Sequence, residues 1–133
     1  MGIWTALTRN VAETRPDSPD PRLRGRSYPV PFAQVWDAAV ETVLASRRWV
    51  MTGSNPGAGT IDAEARTLLW RFTDDISVRV TLDEHGMTRV DVRSASRVGR
   101  ADLGTNARRV ARFLHALDRR LRLAGEGGAP ANR

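Results

Sequence analysis

The sequence predicts an α+β domain, an antiparallel sheet of four to six strands covered by an N-terminal helix and a long C-terminal helix. Three observations predict it. Two stretches, one from residue 32 and one from residue 103, repeat apolar residues at helical spacing. Between them, runs of apolar and polar residues alternate strictly, as half-buried strands do. The 133 residues, 41% of them hydrophobic, are enough for one core and too few for two.

Taken in order, Ile3, Trp4, Leu7 and Val11 are spaced like one face of a short helix. So few residues hold no helix alone in water. The segment is therefore expected to dock on its own domain, a partner or a membrane interface. It has neither a basic start nor a long apolar stretch, so it does not read as a secretory signal. Pro16, Pro19 and Pro21 then forbid a helix or central strand. The expected boundaries are residues 1–22 for a docking segment with a Pro-rich linker, 23–125 for a single α+β domain, and 126–133 for a mobile tail. A short strand is expected between Leu23 and Val30.

Pro31 suits a first helical turn, and Phe32, Val35, Trp36, Ala39, Val40, Val43 and Leu44 form the apolar stripe of the first helix. A short strand, Trp49–Met51, leads into the turn-rich loop 52–59. Strands follow on Ile61, Ala63 and Ala65; on Leu68, Trp70 and Phe72; on Ile76, Val78, Val80 and Leu82; and on Val90 and Val92. Asp83 to Gly86 reads as a hairpin turn. Asp102 is a good N-cap for the second helix, whose stripe is Leu103, Ala107, Val110, Leu114, Leu117, Leu121 and Ala124, widened by Phe113. Gly125 is its expected stop. The arrangement resembles the helix-grip type, in which a sheet wraps a long C-terminal helix, and that likeness carries no function.

Composition removes several chemistries. The chain has no Cys, which excludes thiolate metal sites and Cys nucleophiles, and its two His make a His-rich metal site unexpected. All 21 basic residues are Arg; the absence of Lys excludes Schiff-base chemistry and a Walker-type phosphate loop. No metal and no cofactor is expected. Charge is unevenly placed: residues 1–96 hold 12 Arg and 12 acids, while residues 97–133 hold nine Arg against three acids, the whole excess of +6. On the second helix, Arg108, Arg112, Arg119 and Arg122 lie opposite the apolar stripe. Such asymmetry points either to a solvated face or to an anionic partner.

Residues 93–109 contain Arg93, Ser94, Ser96, Arg97, Gly99, Asp102, Gly104, Asn106 and Arg109 in the pattern Arg-Ser-x-Ser-Arg-x-Gly-x-x-Asp-x-Gly-x-Asn-x-x-Arg, with Asp74 and Asp75 upstream. On these residues the chain resembles the domain of unknown function 1499 family of bacteria and plastids, over roughly residues 23–122. The resemblance implies no known reaction. Many members carry a signal, a lipid anchor or membrane helices. None is read here, so a cytoplasmic address is expected, with the cytoplasmic face of a membrane as its variant.

The motif has two readings. As a site, helix N-terminal N–H groups, the Ser94 and Ser96 hydroxyls and the Arg97 fork would face an anion, and Asp74 with Asp75 could be acid and base. As structure, Asp102 caps the helix, Asp75 pairs with Arg97, and Asn106 ties down a neighbouring loop. The structural reading is the favoured one. Neither His85 nor His115 has a nucleophile beside it in the expected layout, so no triad is read.

The function expected is therefore a non-catalytic accessory or interaction protein. It would be a peripheral subunit docking on a larger assembly, membrane-bound or free, through Ile3, Trp4, Leu7, Arg108, Arg112, Arg119 and Arg122. The alternative is a small-anion or lipid-headgroup module at Arg93, Ser94, Ser96, Arg97, Asn106 and Arg109; a hydrolase using Asp74 and Asp75 ranks below both. Partners would be a protein complex or an anionic membrane surface. Nucleic acid is not expected, because Trp70 and Phe72 share a core-facing strand side rather than an outward one.

Overall fold

A computed structural model of the chain describes residues 11–66, 73–97 and 103–128. Six strands and two helices follow one another as β1 (Val11–Glu13), β2 (Arg26–Tyr28), α1 (Phe32–Ala45), β3 (Trp49–Asn55), β4 (Thr60–Arg66), β5 (Thr73–Leu82), β6 (Thr88–Ser96) and α2 (Leu103–Gly128), with a 3-10 turn at Pro21–Leu23. All pairings are antiparallel, in the order β1-β6-β5-β4-β3, and β2 shares the outer edge of β6 with β1. The expected α+β fold with its two helices is present.

The pleat sorts the strands into two faces. Ile61, Ala63 and Ala65 of β4, Ile76, Val78 and Val80 of β5, and Val90 and Val92 of β6 are buried. They form one core with Val110, Phe113, Leu114 and Leu117 of α2 and Val35, Trp36, Ala39 and Val43 of α1. Asp62, Ser77, Arg79 and Arg93 lie exposed on the other face. Both helices therefore cover one side of the sheet and leave the other to water. No helix among the described residues is long and apolar enough to cross a membrane.

Six expectations change. Val11 belongs to no helix: Val11–Glu13 pairs with Arg93–Ala95 of β6 as a strand. Thr14 is also built in, since its N–H donates to the Val92 carbonyl at 2.9 Å and its hydroxyl donates to Asp91 at 2.8 Å. Together with buried Ser18 and Leu23, this makes the Pro-rich stretch part of the domain, which begins by residue 11 rather than 23. The stripe of α1 is rotated: Ala38 and Thr42 point inward and Leu44 is 65% exposed. Thr42 tolerates burial because its hydroxyl donates to the Ala38 carbonyl at 2.7 Å. Strand β3 runs on through Asn55, with an irregularity between Met51 and Gly53, where a loop was expected. Leu82, expected on the buried side of its strand, is exposed. The second helix passes Gly125 and ends at Gly128. The segments holding Ile3, Trp4 and Leu7, the expected strand through Leu68, Trp70 and Phe72, and Asp102 lie outside the described residues, as does most of the expected tail.

Candidate functional site

Two features are built from the residues that stand out in the sequence. The first is the doublet and motif around Asp74 and residues 93–109, which the pleat divides between the two faces. Asp74 opposes Ser96 and Ile76 opposes Ser94 in the β5–β6 ladder, so Asp74, Ser94 and Ser96 share the helix side. Asn106 and Arg109, three residues apart on one face of α2, come down on them. Arg109 Nη1 lies 2.7 Å from an Asp74 carboxylate oxygen as an ion pair, and donates to Asn106 Oδ1 at 2.8 Å and to Ser94 Oγ at 3.2 Å. Ser94 donates to Asn106 Oδ1 at 2.6 Å, and Asn106 Nδ2 donates to Ser96 Oγ at 3.1 Å. The Asp74 side chain is 3% exposed and that of Arg109 13%. Among the described residues no buried side-chain nitrogen or oxygen lacks a partner. This cluster therefore joins helix to sheet where the apolar core ends.

Asp75, Arg93 and Arg97 occupy the opposite, open face. Arg97 donates from Nε and Nη2 to Asp75 at 3.0 and 2.9 Å, and from Nη2 to Glu64 at 2.8 Å. Those bonds, Asp75 first and Glu64 second, raise the Arg97 pKa above its ordinary value. Arg93 lies 3.9 Å from Glu13. The expected Asp75–Arg97 pair is thus formed. The joint site is not: Arg97 cannot face a ligand together with Ser94 and Ser96, and the neighbouring carboxylates Asp74 and Asp75 point to opposite sides of the sheet. Asn106 ties the helix to β6.

The second feature is a groove of about 830 Å³ between the end of α1, the start of β3, the end of β4 and one stripe of α2. Among the described residues seven arginines line it, Arg47, Arg48, Arg66, Arg109, Arg112, Arg119 and Arg120, and no Asp or Glu does. Arg109 is held by Asp74, and Arg120 lies 3.4 Å from Glu41. The other five make no ion pair among the described residues. Between them stand Ala45, Ala116 and half-buried Trp49, whose ring stacks on Phe113 at 5.7 Å and 9°. Arg48 has φ 62°, a left-handed conformation unusual for a residue with a side chain, and its carbonyl accepts from Arg66 N–H at 3.0 Å.

Of the expected docking arginines, Arg112 and Arg119 line this groove, whereas Arg108 and Arg122 are exposed on α2 outside it. Arg47, Arg48 and Arg66 were not singled out by the sequence; the only local signal is the Arg47-Arg48 doublet straight after α1. His85, in the β5–β6 turn, and His115, on α2, are both exposed. Among the described residues no group of three or more His, Cys, Asp or Glu could hold a metal.

A family model described as "Protein of unknown function (DUF1499)" matches residues 6–117. No curated protein matches the chain.

Proposed function

This chain belongs to the DUF1499 family, and we propose that it is a non-catalytic interaction protein whose contact surface is the arginine-lined groove and whose partner presents an anionic group. The observation that carries this reading is the set of five arginines, Arg47, Arg48, Arg66, Arg112 and Arg119, gathered from three parts of the chain without a counter-charge among the described residues. Like charges brought together repel, and burying part of their solvent raises that cost. A bound anion removes the repulsion and accepts bidentate hydrogen bonds from the guanidinium forks.

The absence of a catalytic role is inferred from the carboxylates. Asp74 is engaged by Arg109 and Asp75 by Arg97, on opposite faces of the sheet. A joint anion site of Ser94, Ser96 and Arg97 finds less support than the groove, since Ser94 and Asn106 bond one another and Arg97 pairs with Asp75 on the other face. We place the protein as a peripheral subunit of a larger assembly, in the cytoplasm or at the cytoplasmic face of a membrane, with Ile3, Trp4 and Leu7 as a second contact.

The test is a titration of the full chain with poly-glutamate, followed by NMR at the arginine Nε–Hε groups. Shifts are expected at Arg112, Arg119 and Arg48 and not at Arg93 or Arg97. Shifts spread evenly over all arginines would contradict the proposal.

A further inference from the structure

We propose that the anionic group taken by the groove is the head of an amphiphile, a phosphate or carboxylate carried on an apolar body; this rests on reading the groove as the contact surface. The head sits at the inner end, beside Arg109, and the body lies along Trp49 and Ala116.

Arg109 supplies the first argument. Its ion pair with Asp74 and its hydrogen bonds to Asn106 and Ser94 all involve Nη1. Its Nε and Nη2 have no hydrogen-bond partner among the described residues, and Arg109 lines the groove. A guanidinium already fixed at one nitrogen loses little freedom when its others meet an anion, so it is a preorganised donor. Arg112, one turn further along α2, and Arg66, at the end of β4, line the same space.

The remaining lining supplies the second argument. Along the α2 stripe, Arg109 and Arg112 are followed by Ala116 before Arg119. A small apolar residue thus interrupts the basic row, opposite a rigid wall made by Trp49 on Phe113. A purely ionic ligand would leave Trp49, Ala45 and Ala116 in water. A purely apolar one would desolvate the arginines without compensation. An amphiphile satisfies both halves, and a groove of about 830 Å³ falls in the range that takes a compact organic ligand. The same chemistry has two sources: a dispersed amphiphile or a lipid in a bilayer.

The experiment measures binding of the full chain to decyl phosphate below its micellar concentration, to inorganic phosphate, to poly-glutamate, and to phosphatidylcholine vesicles with and without phosphatidylglycerol. Decyl phosphate is expected to bind at least tenfold more tightly than inorganic phosphate. The double variant Arg66→Gln/Arg112→Gln, which leaves the Asp74 cluster intact, is expected to lose at least tenfold. Arg109→Lys keeps a charge for Asp74 but lacks the fork, and is expected to lose affinity for decyl phosphate without unfolding. If Arg109→Lys does not fold, the double variant decides. Groove-dependent binding to the phosphatidylglycerol vesicles as well assigns the source to a bilayer; binding to decyl phosphate alone assigns it to a dispersed ligand. Equal affinity for phosphate and decyl phosphate, or an unaffected double variant, overturns the amphiphile. Groove-dependent binding of poly-glutamate alone overturns the amphiphile and leaves the interaction surface standing. Binding to none of the probes overturns both.

Discussion

Arg109 on α2 forms an ion pair with Asp74 on β5 at 2.7 Å, across the junction where the helix leaves the apolar core. With Asp74 3% and Arg109 13% exposed at the side chain, this is a buried ion pair. The next residue, Asp75, makes its pair with Arg97 in the open.

Removing one partner of a buried pair leaves the other charge uncompensated. Asp74→Ala is therefore expected to lower stability by about 3–5 kcal/mol. Asp75→Ala should change it little, since exposed pairs contribute little. Urea unfolding of the two variants checks this, and equal losses would contradict the assignment of faces.

Tyr28 donates to Asp118 at 2.6 Å, while Arg26 holds the same carboxylate at 3.1 Å. Burial first, and then the bond to Asp118, raise the Tyr28 pKa well above its ordinary value. The folded group stays neutral where the unfolded one ionises. The stabilisation is complete below about pH 10, the unfolded value, and is lost as pH rises through the folded pKa. Tyr28 is the single tyrosine. Tyrosinate absorbance should therefore appear only with unfolding, and Tyr28→Phe should flatten the alkaline loss of stability. A normal titration in the folded protein would contradict the contact.

Arg48 separates charge from conformation. Its φ of 62° costs a side-chain-bearing residue about 1–2 kcal/mol, against about 0.5–1 kcal/mol of extra chain entropy for glycine. Arg48→Gly is thus expected to raise stability by up to about 1.5 kcal/mol while weakening anion binding. Thermal melts and a poly-glutamate titration read the two effects independently; a variant that loses stability would contradict the backbone argument.

Gly59 and Gly86 share a positive φ, 73° and 79°. A Cβ at Gly59 would run into the Val80 carbonyl oxygen, whereas at Gly86 it meets nothing. Gly86→Ala should cost about 1–2 kcal/mol, the strain alone. Gly59→Ala should cost clearly more and loosen the Val80 N–H bond to the Gly59 carbonyl, now 2.7 Å. Equal melting temperatures for the two variants would contradict that packing.

The central strands and both helices were legible because their periods run long enough to be read. Ile76, Val78 and Val80 give a strand, and Val110, Leu114, Leu117 and Leu121 a helix. Strand parity also separates Asp74 from Asp75 and Arg97 from Ser96, although the linear motif makes them look like one site. Val11–Glu13 was not legible: three residues have no period, and their pairing with β6 is a long-range event. The rotation of α1 followed from Thr42 satisfying its own hydroxyl, which hydrophobic spacing does not register. The groove was least legible, since Arg47 and Arg48, Arg66, and Arg112 belong to three separate segments that only the tertiary fold brings together.

The most direct test of the groove as contact surface is a matched pair of charge deletions. Affinity for poly-glutamate is measured at two salt concentrations for the unaltered chain, for Arg112→Gln/Arg119→Gln in the groove, and for Arg93→Gln/Arg97→Gln on the open sheet face. Both variants lose the same net charge. The groove variant is expected to bind at least tenfold more weakly, about 1.4 kcal/mol, with a shallower salt dependence, and the sheet-face variant to stay within about twofold, under about 0.5 kcal/mol. Equal loss in both would show that net charge alone attracts the probe and would contradict a contact surface at Arg112 and Arg119.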